Sequence, residues 1–92
     1  EQIKDLAVQC DVMIVIGSFT SANSKRLTQL SLERNKRSYQ VTSASDLNTE
    51  MFKNCKSVGI SAGASTPDEI IQEVVNKIKI IGKNKEGAII YE

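Results

Sequence analysis

Apolar residues along this chain come in two kinds of burst. Val12 to Ile16 reads "VMIVI", a continuous run closed by Gly17. Such a run suits a strand covered on both faces, as in a parallel sheet. "SYQVT" at 38–42 and "SVGISA" at 57–62 read as a second and a third strand. Between the runs the spacing turns helical. Ile3, Leu6 and Ala7 mark the end of a helix over residues 1–9, and Leu27, Leu30 and Leu32 a short amphipathic helix from Ser24 to about Asn35. "SDLN", with Ser45 ahead of Asp46, predicts a further helix running to about Lys53.

The best-marked helix start is "STPDEI". Thr66 stands as N-cap, Pro67 as first helical residue, and Thr66 and Glu69 have capping-box spacing. Asp68 and Glu69 sit at the positive end of the helix dipole. Ile70, Ile71, Val74, Val75, Ile78 and Ile81 carry the pattern to Gly82 as its stop. The closing "AIIYE" reads as a final strand or the start of a linker. Strands alternating with helices predict an α/β fold. The expected architecture is a three-layer α/β/α arrangement with a small parallel sheet and right-handed crossover helices.

The 92 residues suffice for a single domain, residues 1–92. The chain opens with Glu1 rather than Met, inside what reads as a helix, and is read as a piece of a longer protein. Aromatics are 4% with no Trp, so the core must rest on Ile, Val, Leu and Ala. A net charge of +1 exerts no strong pull toward nucleic acid or a membrane surface. Basic residues interleaved with aromatics, the usual stacking surface for single strands, are missing. The longest apolar run is far too short to span a bilayer. Neither nucleic acid nor membrane is expected as a partner.

Histidine is absent, which removes the commonest general base. Cys10 and Cys55 have neither CxxC nor Cys/His spacing, so they read as small core residues and no metal site is expected from this piece alone. The charge cluster "ERNKR" at 33–37 reads as a solvated face, and Lys25 and Arg26 as exposed.

Two segments share one design. "VIGSFTSANSKRL" at 15–27 and "VGISAGASTPDEI" at 58–70 each pass from an apolar strand through small residues into a helix start. In a parallel sheet both loops lie at the carboxyl edge, where open α/β sheets bind ligands. A helix N-terminus there leaves backbone N–H groups unpaired and carries partial positive charge. Gly63 and Ala64 let a ligand approach the backbone, and Ser21, Asn23 and Ser65 each offer a hydrogen bond. Two such loops converging make a cradle for an anion with several oxygens, such as a phosphate or diphosphate. Caps alone also favour Ser, Thr and Asn before helices. Neither loop is a P-loop or a GxGxxG fingerprint.

These residues resemble a known family. "DVMIVIGS", "TSANSKRL" and "SVGISAGASTPDEII" are similar to the carboxyl-terminal domain of the 4-hydroxy-3-methylbut-2-enyl diphosphate reductases, over about residues 4 to 78. The resemblance implies one lobe of a three-lobed enzyme of isoprenoid biosynthesis around a 4Fe-4S cluster held by three cysteines. Cys10 and Cys55 do not stand at the family's ligand positions, so the ligands are expected outside this piece. The implied reaction removes the substrate hydroxyl to give isopentenyl and dimethylallyl diphosphates, with electrons from ferredoxin or flavodoxin. A bacterial cytoplasm or a plastid-type organelle fits equally.

The family's Ser-Ser-Asn pattern carries over to Ser21, Ala22 and Asn23, and the serine of its Ala-Gly-Ala-Ser segment to Ser65. Ala22 departs from the pattern: a serine hydroxyl is replaced, leaving the backbone N–H of Ala22 as the group able to bind there. Thr20 and Ser24 are the neighbouring hydroxyls available to substitute. The rival reading is a non-catalytic α/β module for phosphate binding or protein docking.

Overall fold

Val12–Ile16 forms the first strand, β1, and all five of its residues are buried. The computed structural model describes residues 2–81 and 88–91. The order is α1 (Gln2–Gln9), β1, α2 (Ala22–Leu32), β2 (Ser38–Val41), two 3-10 turns (Ala44–Asp46 and Thr49–Phe52), β3 (Ser57–Ala62), α3 (Asp68–Ile81) and β4 (Ala88–Tyr91). The strands make one sheet in the order β2-β1-β3-β4, and every pairing is parallel. The closing segment is therefore a strand.

The period-2 geometry of β1 divides its side chains between two layers. Val12, Ile14 and Ile16 pack in a cluster with Val58, Ile60, Leu47, Phe52 and the α3 residues Val74, Val75 and Ile78. Met13 and Val15 pack on the opposite face with Ile3, Leu6, Ala7, Leu27 and Leu30. Burying a Val or Ile is worth about 1.5–3 kcal/mol over leaving it exposed. A strand buried along its whole length is thus the cohesive element of all three layers. The β1–α2–β2 and β3–α3–β4 crossovers leave in opposite directions over opposite faces, as right-handed connections must.

Three local expectations are corrected. First, α2 begins at Ala22, not Ser24, because Ser21 is the N-cap: its hydroxyl accepts from the Ser24 N–H at 3.3 Å. The helix also ends at Leu32, short of Asn35. Asn35 ties the layers instead, donating from Nδ2 to the carbonyls of Ala7 (3.1 Å) and Cys10 (2.8 Å).

Second, the expected helix from Asp46 to Lys53 is two 3-10 turns. Asn48 separates them in extended backbone and accepts the Met51 N–H at its own side chain. Short polar side chains compete in this way with helix formation, and the stretch is too short to nucleate against them.

Third, the 33–37 cluster is only partly a solvated face. Arg37 is half-buried, and its Nη2 donates to the carbonyls of Met51 (3.0 Å) and Lys53 (2.7 Å). Glu33 meets Lys4 of α1 at 3.2 Å. The expected stop at Gly82 lies outside the described residues.

Both cysteines are buried and neither is in a disulfide. Cys10 precedes β1 and Cys55 precedes β3, so both thiols lie at the amino edge of the sheet. They belong to the clusters on opposite faces. Burial, with a smaller contribution from Asp11, pushes the Cys10 thiol pKa up.

Candidate functional site

The strand order creates the site. From β1 the chain turns toward β2, and from β3 it turns toward β4, so the loops after these adjacent strands diverge. A crevice opens between them at the carboxyl edge, the switch point at which doubly wound sheets accept ligands. The ladder runs one step past the strands: the Gly17 N–H donates to Val41 and the Gly63 N–H to Ile16, at 2.9 and 3.0 Å.

Two side-chain bonds then join the loops across the crevice. Asn23 Oδ1 accepts from the Ala64 N–H at 3.3 Å, and the Thr66 hydroxyl donates to the Ile16 carbonyl at 3.0 Å. The approach is close. A Cβ on Gly17 would lie 1.9 Å from the Ser24 Oγ, and one on Gly63 would lie 2.5 Å from it. Neither glycine has positive φ, so space rather than dihedral freedom requires glycine here.

The structure brings the four expected site residues to one edge in different settings. Ser21 is half-buried as the α2 cap, whereas Ala22, Asn23 and Ser65 are exposed. An open cleft of about 270 Å³ lies on the α3 side of the crevice, lined by Ser65 with Gly17, Ser18, Thr42 and Thr66. Ser21, Ala22 and Asn23 stand on the other rim, outside that cleft. Thr66 is not the side-chain cap expected of it. Its hydroxyl is spent on Ile16, and the first helical bonds of α3, from Ile70 and Ile71, go to the Pro67 carbonyl.

The first loop is also held by its own hydroxyls. Ser18 and Thr20 hydroxyls meet at 2.8 Å, the Thr20 N–H donates to the Ser18 hydroxyl, and the Ser21 N–H closes the turn on the Ser18 carbonyl. Gln40, which the sequence reading passed over, donates from Nε2 to the Ser18 carbonyl at 3.0 Å. Its signal is faint: an amide at the half-buried position next to the end of β2.

Charge distinguishes the two helix starts. The first turn of α2 has no acidic residue and is followed by exposed Lys25 and Arg26. The first turn of α3 carries Asp68 and Glu69. An anion is therefore better received on the α2 side, with α3's loop offering Ser65 and backbone. Among the described residues no three His, Cys, Asp or Glu side chains are grouped to hold a metal ion.

The sequence pattern of the LytB protein family matches residues 1–79. The chain belongs to the LytB family. Relatives named 4-hydroxy-3-methylbut-2-enyl diphosphate reductase include one from Citrifermentans bemidjiense, 48% identical over 85 residues, which are 92% of this chain and 30% of the relative. Another, from Aquifex aeolicus, is 48% identical over 81 residues, 88% of this chain and 28% of the relative.

Solved LytB relatives carry the same fold. The structure of (E)-4-hydroxy-3-methyl-but-2-enyl diphosphate reductase, described as the terminal enzyme of the non-mevalonate pathway, matches with a TM-score of 0.83 at 47% identity, covering 85% of this chain and 28% of that one. The Plasmodium falciparum E-1-hydroxy-2-methyl-but-2-enyl-4-diphosphate reductase gives a TM-score of 0.83 at 27% identity over 97% of this chain and 27% of that one. This LytB chain thus spans about 30% of the length of the curated relatives it matches. Among its described residues no helix is long and apolar enough to cross a membrane.

Proposed function

We propose that this chain is the substrate-anchoring lobe of a 4-hydroxy-3-methylbut-2-enyl diphosphate reductase. The complete enzyme removes the substrate's hydroxyl to give isopentenyl and dimethylallyl diphosphates. The lobe holds the diphosphate with the hydroxyls of Ser21 and Ser65, the amide of Asn23 and the backbone N–H of Ala22. The observation that carries the reading is the Asn23–Ala64 bond, which joins the α2 start to the loop containing Ser65. The names of the LytB relatives support the choice of a diphosphate over other anions.

A 4Fe-4S cluster supplies the electrons for such a reaction, itself charged from ferredoxin or flavodoxin. The residues of this chain do not fit that cluster. Its two thiols lie at the amino edge, opposite the crevice, in separate core clusters. The ligands are assigned to residues outside this chain. We place the whole protein in a bacterial cytoplasm or a plastid-type organelle.

The lobe's own contribution is orientation. Gripping a remote diphosphate fixes the reacting carbon, and binding energy realised away from the reaction lowers its barrier by holding the geometry. A charge-assisted hydrogen bond contributes about 1.5–3 kcal/mol, so Ala22 costs the site one bond of that size relative to a serine.

Isothermal titration of the complete protein with the hydroxylated diphosphate tests the reading. Ser65→Ala should weaken binding about 10- to 100-fold, the equivalent of one such bond. Equal affinity in wild type and variant overturns it.

A further inference from the structure

Ser24 has the most confined hydroxyl at the crevice. The residue is 1% exposed. Its N–H bonds the Ser21 hydroxyl and its carbonyl accepts from Thr28, while its own hydroxyl has no partner among the described residues. Every wholly buried side-chain oxygen and nitrogen among those residues does have a partner. The Ser24 hydroxyl is therefore not wholly buried, and the exposure left to the residue falls on Oγ. That oxygen lies between the first residue after β1 and the first after β3, against Gly17 and Gly63. It thus sits at the junction of the two carboxyl-edge loops, with a small part of its surface uncovered.

We propose that Ser24 is a further substrate-binding residue, donating its hydroxyl to a phosphoryl oxygen of the diphosphate seated on the α2 N-terminus. The inference rests on the anchoring role proposed above and names a residue that role did not include. A confined donor without an acceptor is completed by a ligand oxygen or a trapped water. Three observations favour the phosphoryl oxygen. Position 22 is Ala, so no hydroxyl occupies the place between Ser21 and Asn23. The other neighbouring hydroxyl, Thr20, closes on Ser18 within its own turn. The α2 start, with no acid in its first turn, draws the anion to the side of the crevice where Ser24 lies.

The test is titration of the complete protein with inorganic pyrophosphate, with the unfolding midpoint of each variant measured alongside. Wild type, Ser24→Ala, Ser24→Thr and Ser65→Ala are compared. The expected result is a loss of about tenfold or more in Ser24→Ala, recovered in Ser24→Thr because the hydroxyl returns, with the midpoint of Ser24→Ala unchanged. Affinity in Ser24→Ala within twofold of wild type means the hydroxyl holds only water and overturns the inference. Equal losses in the Ala and Thr variants assign the effect to packing and overturn it too. If Ser65→Ala weakens binding and Ser24→Ala does not, only the Ser24 assignment fails. If wild type does not bind pyrophosphate, the anchoring role itself fails.

Discussion

The hydroxyl of Thr66 donates to the carbonyl of Ile16, 50 residues earlier in the chain, at 3.0 Å. The same carbonyl accepts the Gly63 N–H at 3.0 Å. The last residue of β1 thus holds the loop after β3 twice, and the spacing of the crevice depends on that grip. Thr66→Val keeps the shape and removes the donor. A typical hydrogen bond contributes about 1 kcal/mol net. The variant should unfold several degrees earlier by calorimetry and bind the diphosphate more weakly, with the smaller loss expected relative to Ser65→Ala.

Gly63→Ala places a methyl 2.5 Å from the Ser24 hydroxyl. Overpacking of this kind costs about 1–3 kcal/mol. Ser24→Gly in the same chain removes the obstructing side chain, so the double variant should regain part of the lost stability. A double-mutant cycle on denaturant midpoints measures the coupling. Additive effects would show that the two positions do not meet.

Asp46 predicts a pH dependence. Its Oδ2 accepts from the hydroxyl and the N–H of Thr42 at 2.6 and 2.7 Å. These bonds hold the carboxyl below its ordinary value of 3.8. A lowered folded-state pKa gives stability that is complete above the unfolded value and is lost as pH falls through the folded one. The bonds lie at the surface, where solvent screens them, so the effect is small. The unfolding midpoint of wild type should fall more steeply below about pH 4 than that of Asp46→Asn, in which no carboxyl titrates at this position.

Arg37→Lys keeps the charge and loses the planar donor that reaches the carbonyls of Met51 and Lys53 together. The loss should be about 1–2 kcal/mol, visible as a lower melting midpoint. Equal midpoints would mean that the guanidinium is not needed to hold the 3-10 turns.

The first strand was legible because an uninterrupted apolar run such as Val12–Ile16 has few other places to go in a small domain, and β2 and β3 because short segments with Val, Ile and Tyr stand between helical patterns. The pairing of the two carboxyl-edge loops was legible because each follows a predicted strand, consists of small residues and opens a helix. What stayed hidden were long-range uses of polar side chains. Thr66 has the sequence of a cap, yet the Ile16 carbonyl, adjacent only in the folded sheet, takes its hydroxyl. Asn35 and Arg37 look like parts of a charged surface, and no local pattern shows that the carbonyls of Cys10 and Lys53 lie within their reach. Asn54, with φ of 56°, turns the chain into β3 in the left-handed region that Asn tolerates, and no neighbouring glycine announced the turn.

The thiols of Cys10 and Cys55 give this fold two internal reporters. They are buried at the edge away from the crevice, so an alkylating reagent reaches them through opening of the fold rather than through the crevice. A guest that binds only the closed form slows that opening-limited labelling by mass action, in proportion to its concentration over its dissociation constant. Alkylation rates would then read occupancy of one edge of the sheet from chemistry at the other.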